Sequence, residues 1–431
     1  MRIPYLNLIR VPSDLASVTT RAEAEVAPRS VGVDRAAVAD IWAGVERFYS
    51  TGLQPSIQLC VRRHGEVILD RAMGHASGNG PNDAPEARKV LATPDTPYCI
   101  FSASKAVTAM VIHLLDQMHL LHVNDPVTEY IPEFGRHGKG RVTIEHVLTH
   151  RAGIPNLPEN KLNLDNLAHP ERFVQILCDA EPVWTPGRRL AYHAATGGFI
   201  LAEIARRVTG KTIAQLLTKH ILEPLHFRWM NYGVKPRDVN KVALSYFTGP
   251  PLLPPLAALS RRALGIDFDE VPTLSNDPRY LKAVVPAGNV VSTANELSRF
   301  FQLLLNEGAL DGVRIFEPRT IRRATSEQSY LEFDLTLAVP IRYSMGFMHG
   351  GLYFFGPDTP RAFGHLGFIN ILGWADPDRQ VAASLMTSGK PFFLPELYLL
   401  YDIMRRIGRA CPKEPRRSVT TRRARRSPAA R

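Results

Sequence analysis

Ser102-Ala103-Ser104-Lys105 places a serine and a lysine three positions apart, where an extended stretch (Thr96 to Ile100) turns into a helix. The helix follows from Val107, Met110, Val111, Leu114, Leu115 and Met118, apolar positions at the three-and-four spacing of one helical face. Ser102 therefore sits near the helix start. Residues three apart on a helix are neighbours, so the Lys105 ammonium reaches the Ser102 hydroxyl. The free N–H groups of a helix N-terminus stabilise negative charge. A serine so placed can attack a carbonyl. A free lysine has a pKa of about 10.4 and must be desolvated, or placed near other positive charge, before it can accept a proton. S-x-x-K occurs on many solvated helix faces, so its meaning depends on the rest of the chain.

With 431 residues and 45% hydrophobic content the chain can bury a large core, as one two-lobed unit or two domains. Cys60, Cys99, Cys178 and Cys411 are scattered without a C-x-x-C pair, which argues against a disulfide framework or structural zinc and for free thiols. Met1-Arg2-Ile3-Pro4-Tyr5 leads into polar residues rather than an apolar run, and no stretch approaches a membrane span. A cytoplasmic protein without a transmembrane segment is expected. The net charge of +11 is unevenly spread: Pro412 to Arg431 holds eight basic residues against Glu414, a net of +7, which leaves +4 for the rest. A basic run with Pro, Ser and Thr and no apolar pattern reads as a disordered tail at 411–431. It could touch an anionic surface, but no specific nucleic-acid partner is expected.

Residues 1–33 lack periodicity and read as an N-terminal extension. A helix is expected from Asp34 to about Tyr49. Gln58 to Val61 and Val67 to Ala72 read as strands joined through Arg63-His64-Gly65. Near the other end, Ile369 to Ala375 and Gln380 to Thr387 read as strands joined through Asp376-Pro377-Asp378-Arg379. Between them the strong segments are helical: Glu145 to Leu148, Glu171 to Cys178, Thr196 to Val208, Ile213 to Leu222 and Ala294 to Leu305. The expected fold is α+β, an antiparallel sheet built from both chain ends with a mostly helical second lobe and the active site at the seam. The catalytic domain would span 34–410, with a sheet lobe at about 34–100 and 340–410 and a helical lobe at about 101–339. The proline-rich run within Gly249 to Ile266 reads as a long loop, either an apolar wall for an acyl chain or a packing loop.

A Ser–Lys mechanism needs a second proton-handling group and an oxyanion site. Tyr192, on a loop before the helix that starts near Thr196, is a candidate for the first. A tyrosinate, or a tyrosine sharing its proton with Lys105, could take and return the serine proton. Phe363-Gly364-His365-Leu366-Gly367-Phe368 is a Gly-rich strand edge that a ligand backbone could approach closely.

Ser102-x-x-Lys105, Tyr192 and His365-x-Gly367 stand in the order and rough spacing of the serine β-lactamase and penicillin-binding-protein superfamily, with its S-x-x-K, Y-x-N and K-T-G or H-x-G motifs. The chain resembles the class C-like branch that includes the family VIII carboxylesterases. Asn124-Asp125-Pro126-Val127, Val147 to Ile154, Pro286 to Ala294 and Tyr343 to Phe347 also look like that branch, and the likeness runs from about Val33 to about Arg406. It implies a β-lactamase/transpeptidase-like fold with Ser102 as the acylated nucleophile and Lys105 and Tyr192 as its proton relay. The N–H groups of Ser102 and Phe368 would form the oxyanion hole, with His365 and Gly367 at the substrate edge. No metal or organic cofactor is implied.

Two departures bear on the substrate. Ala194 stands where Y-x-N has its asparagine, so the amide that would hold an acylamido group is missing. His365 and Leu366 replace the cation and hydroxyl that K-T-G offers a substrate carboxylate, and histidine is neutral or partly charged near pH 7. Both losses favour a small-molecule carboxylic ester over a β-lactam or D-amino-acid peptide. The remaining alternative is an idle binding protein on the same scaffold. Gly210-Lys211-Thr212 lacks the first glycine of a P-loop and follows a helix, so Gly210 reads as a helix end. His146 and His150 have no third ligand in a recognisable motif and read as structural. No G-x-S-x-G elbow is present.

Overall fold

The computed structural model describes residues 6–156, 164–351, 354–392 and 394–415. Asp34 opens α1 (Arg35–Ser50), its carboxylate accepting the Ala36 N–H at 2.9 Å. Ile41, Val45 and Phe48 on one face of α1 are fully buried. The first hairpin joins β2 (Ser56–Arg63) to β3 (Glu66–Ser77) through His64 and Gly65, which both have positive φ. That two-residue turn matches the twist of antiparallel strands. Upstream, β1 (Thr19–Arg21) pairs with β3. Glu25 forms ion pairs with Arg21 and Arg71, and Asn7 bridges Gly249. Residues 6–33, expected as an extension, are thus a sheet edge packed on the body. Three-residue strands and 3-10 turns are too short to show a period.

The C-terminal half supplies β4 (Ser329–Asp334), β5 (Val339–Tyr343), β6 (Met348–His349), β7 (Phe363–Gly367), β8 (Ile371–Asp376) and β9 (Val381–Thr387). The sheet runs β1-β3-β2-β9-β8-β7-β6-β5-β4, antiparallel throughout, with Val90–Leu91 also pairing with β3. Its middle joint is β2 against β9, with Cys60 opposite Ser384, so the two chain ends meet there as the sequence predicts. Both faces of the middle strands are covered. Leu59, Val61, Ala383 and Leu385 share a core with α1 and α6 (Leu394–Ala410), while Cys60, Ala382 and Met386 join the core of the helical side. This two-sided burial is why β8 and β9 read as apolar runs rather than alternating ones.

The helical side contains α2 (Ser104–Gln117), α3 (Thr196–Thr209) and α5 (Ala294–Leu305), with short helices at Ile144–Leu148, Pro170–Asp179 and Ile213–Leu217. Gly210, at φ 69°, ends α3 as read from sequence. The run expected to be a loop is different: after Pro254 and Pro255 the chain forms α4 (Leu256–Leu264), ended by Gly265 at φ 80°. Prolines stop a helix from inside but not from just before it, since the first helical N–H groups have no partner to lose. At the other end of the chain Cys411 is buried and Glu414 pairs with Arg63 and His64, so the folded body continues to about 415. Residues 416–431 of the expected basic tail lie outside the described residues. No described helix is long and apolar enough to cross a membrane.

Candidate active site

The chain enters the site through Tyr98–Cys99, which pairs with Val290–Ser292. The Ile100 N–H donates to Val290 O at 2.9 Å, and Phe101 turns the chain with φ 47° before a single 3-10 turn (Phe101–Ala103) leads into α2. A bulky residue in the left-handed region is costly, and such strain persists only where the surroundings enforce it. Here they do: Phe101 is buried, its ring 5.4 Å from that of Phe368, and the Ser104 hydroxyl accepts the Val290 N–H at 3.0 Å. Ser102 is presented one residue after this bend, half-buried and lining a cavity.

Lys105 Nζ lies 3.2 Å from Ser102 Oγ, 2.8 Å from Ala194 O and 3.1 Å from Ala287 O. Burial lowers its pKa to about 7. The geometry explains what the neutral amine would do: its two N–H bonds go to the two carbonyls, and its lone pair is left facing the serine hydroxyl. Position 194, which has lost the motif asparagine, serves Lys105 through its backbone.

Tyr192 lies beside this pair, with its ring centroid 4.7 Å from Lys105 Nζ. Burial raises its pKa, and a hydrogen bond with Ser102 acts in the opposite direction, so Tyr192 is a neutral phenol and a proton donor near pH 7. This favours the phenol over the tyrosinate. The loop is held at three consecutive amides: Ala191 N–H to His150 O at 3.0 Å, Tyr192 N–H to Asp334 Oδ1 at 3.1 Å, and His193 N–H to His150 Nδ1 at 3.2 Å. Asp334 Oδ1 also accepts from Thr336 and Leu337, each at 2.9 Å. Asp334 and the clamping role of His150 escaped the sequence reading because both partners are backbone groups distant in sequence. His146 does something else, closing a capping box with Thr143.

β7 approaches Ser102 from the sheet. A Cβ on Gly367 would stand 2.0 Å from Ile100 O, so only glycine lets the strand come this close. Phe368 follows, and among the described residues neither its N–H nor that of Ser102 finds a protein acceptor. The strand's alternation sends Leu366 and Phe368 into the cavity and His365 the other way. His365 is 1% exposed, its Nδ1 2.6 Å from Leu366 O, in a small space beside Lys105 that His150 and His193 also line. Burial, and then the charge of Lys105, push His365 and His193 down to about 3, so both are neutral. His365 is placed as a neighbour of Lys105, away from the substrate edge where the sequence reading put it. Ser102, Lys105, Tyr192, Gly367 and Phe368 are brought together.

The cavity over Ser102 has a volume of about 560 Å³ and is walled by α4, α6, β7 and the β4–β5 turn. Among the described residues no Lys, Arg, His, Asp or Glu lines it. Pockets of this size bury small organic ligands through apolar contact with a few polar groups. Among the described residues no cluster of His, Cys, Asp or Glu could hold a metal ion.

Fold and site define a hydrolase of the serine β-lactamase fold. The chain belongs to the Beta-lactamase family, whose model matches residues 45–401. It is 31% identical over 308 residues to the esterase/beta-lactamase LipL of Mycobacterium tuberculosis, covering 68% of this chain and 69% of that protein. Among solved structures it is similar to a penicillin-binding protein homologue from Caulobacter crescentus (TM-score 0.75, 27% identity, 88% of this chain and 99% of that one). It is also similar to a family VIII carboxylesterase (TM-score 0.72, 25% identity, 86% of this chain and 98% of that one).

Proposed function

We propose that the protein hydrolyses carboxylic esters with apolar acyl groups through an acyl-enzyme on Ser102. The observation that carries the reading is the Lys105 amine, shifted to about 7 and aimed at Ser102 Oγ from 3.2 Å. Ser102 Oγ attacks the ester carbonyl and its proton passes to Lys105. The oxyanion is held by the N–H groups of Ser102 and Phe368, donors that need no reorganisation during reaction. The Tyr192 phenol, recharged from Lys105, protonates the leaving alkoxide. Water then attacks the acyl-enzyme by the reverse relay.

The uncharged cavity supports an ester over an anionic substrate. Among the described residues no cation lines the cavity wall to meet a β-lactam or peptide carboxylate, since His365 is neutral and turned away. The likeness to LipL, whose name joins both activities, makes β-lactam turnover the second reading. Intact-mass measurement after exposure to a fluorophosphonate tests the nucleophile: one adduct is expected on the wild type and none on Ser102→Ala. An unlabelled, folded wild type would leave the idle scaffold as the better reading. A p-nitrophenyl ester series set against nitrocefin then tests the class, and nitrocefin turnover above every ester would reverse it.

A further inference from the structure

The cavity mouth lies between three segments that are apolar outside as well as inside. α4 buries none of its residues, and its Leu256 and Leu259 line the cavity while remaining 46% and 40% exposed. Leu397 of α6 does the same at 38%. Farther out, away from the cavity wall, stand Leu253 at 69%, Phe333 at 53% and Tyr398 at 69%. Of the fourteen large apolar side chains exposed among the described residues, nine lie on these segments: three on α4 and the residues before it, four on β4 and its turn, and two on α6. Single exposed apolar residues are ordinary, but a concentration on the segments that lead into one cavity marks an interaction surface.

The rim is also basic. Arg188 and Arg189 are exposed just before Leu190, whose carbonyl accepts the Leu335 N–H beside the cavity turn. Arg262 is exposed on α4, and among the described residues none of these three has an ion-pair partner. Arg261 is paired with Asp267, which with Asp269 lines a separate cavity on another face of α4. Apolar side chains with unpaired arginines around them match a surface of acyl chains under anionic headgroups.

We infer that the mouth of the active-site cavity docks on an anionic phospholipid surface, so that an ester with a long acyl chain passes from lipid into the cavity without crossing water. This rests on the ester reading for the identity of the substrate, but the docking itself does not require turnover.

Flotation of the full chain with phosphatidylcholine vesicles, with and without phosphatidylglycerol, tests it. Wild type and Ser102→Ala are expected to float alike and to prefer the vesicles containing phosphatidylglycerol. The triple variant Leu253→Ser, Phe333→Ser, Tyr398→Ser is expected to lose about tenfold or more in vesicle partitioning while keeping its turnover of soluble p-nitrophenyl acetate. The triple variant Arg188→Gln, Arg189→Gln, Arg262→Gln is expected to lose the preference for phosphatidylglycerol. Should the apolar triple variant not fold, Tyr398→Ser alone carries the test, with a smaller loss. A wild type that does not float overturns the inference, as does an apolar variant that floats like wild type. Loss of flotation on deleting 416–431 would assign binding to the tail. A stable dimer dissociated by the apolar variant would assign the face to a second copy. Either result also overturns it. Flotation without hydrolysis of any ester would remove the proposed function and leave the docking intact.

Discussion

Lys105 Nζ stands 3.2 Å from Ser102 Oγ. Its pKa of about 7 against about 10.4 for a free lysine means that the base form grows as pH rises through neutrality. Ester kcat/KM is therefore expected to climb through an apparent pKa near 7 to a plateau, and a profile flat from pH 6 to 9 would remove Lys105 as the base. Lys105→Met, similar in length and without an amine, is expected to lower kcat by about 10²–10⁴. Asp334 acts through another residue. Replacing it with Ala strands the amides of Tyr192, Thr336 and Leu337 and frees the loop that aims the phenol. A fall in kcat larger than any rise in KM, with a lower Tm, is expected for Asp334→Ala. Asp334→Asn, which keeps an acceptor oxygen, should recover part of both. Equal losses from the two variants would mean that charge rather than backbone pinning matters.

At the scale of elements, the approach of β7 to the Ser102 bend sets the gap between the two candidate oxyanion donors. Gly367→Ala forces a methyl against Ile100 O and must push the strand out. Turnover is expected to fall about 10²-fold or more, the effect of removing one oxyanion donor, and a measured kcat within twofold of wild type would show that the strand is not what positions Phe368. Much at this scale was legible in the sequence. α1, α5 and the β2–β3 and β8–β9 hairpins lie where periodicity and turn residues put them, and the S-x-x-K and H-x-G motifs fall on the elements expected. What was not legible depends on long-range contact. Ile369, read as the start of a strand, instead sits at φ 72° beyond the end of β7, a conformation a β-branched residue adopts only when its surroundings enforce it. The two-residue strand β6 and the clamp on the Tyr192 loop leave no local pattern. α4 was hidden because its prolines lie outside the helix they precede.

Across the whole molecule, α6 closes one face of the sheet, where Ile403, Met404 and Ile407 share a core with Trp374 and with α1. Arg47 of α1 reaches Asp402 of α6, and Arg406 of α6 reaches Asp40 of α1, tying the two helices together. Truncation after Pro391 would expose that face and is expected to yield no folded protein, by loss of a cooperative melting transition. Deletion of 416–431, beyond the ion pairs of Glu414, is expected to leave Tm within a degree or two.

The central joint of the sheet, β2 against β9, pairs residues more than 300 positions apart. Such pairings are slow to form, because a long loop must close before any contact rewards it. During synthesis the helical side, with Ser102 and Lys105, leaves the ribosome well before β7 to β9 exist. Ser102 and Lys105 are therefore synthesised while Phe368 has yet to be made. On the proposed mechanism, competence arrives only when the last strands dock against the first, and a chain released early has the serine and the lysine but lacks the second oxyanion donor.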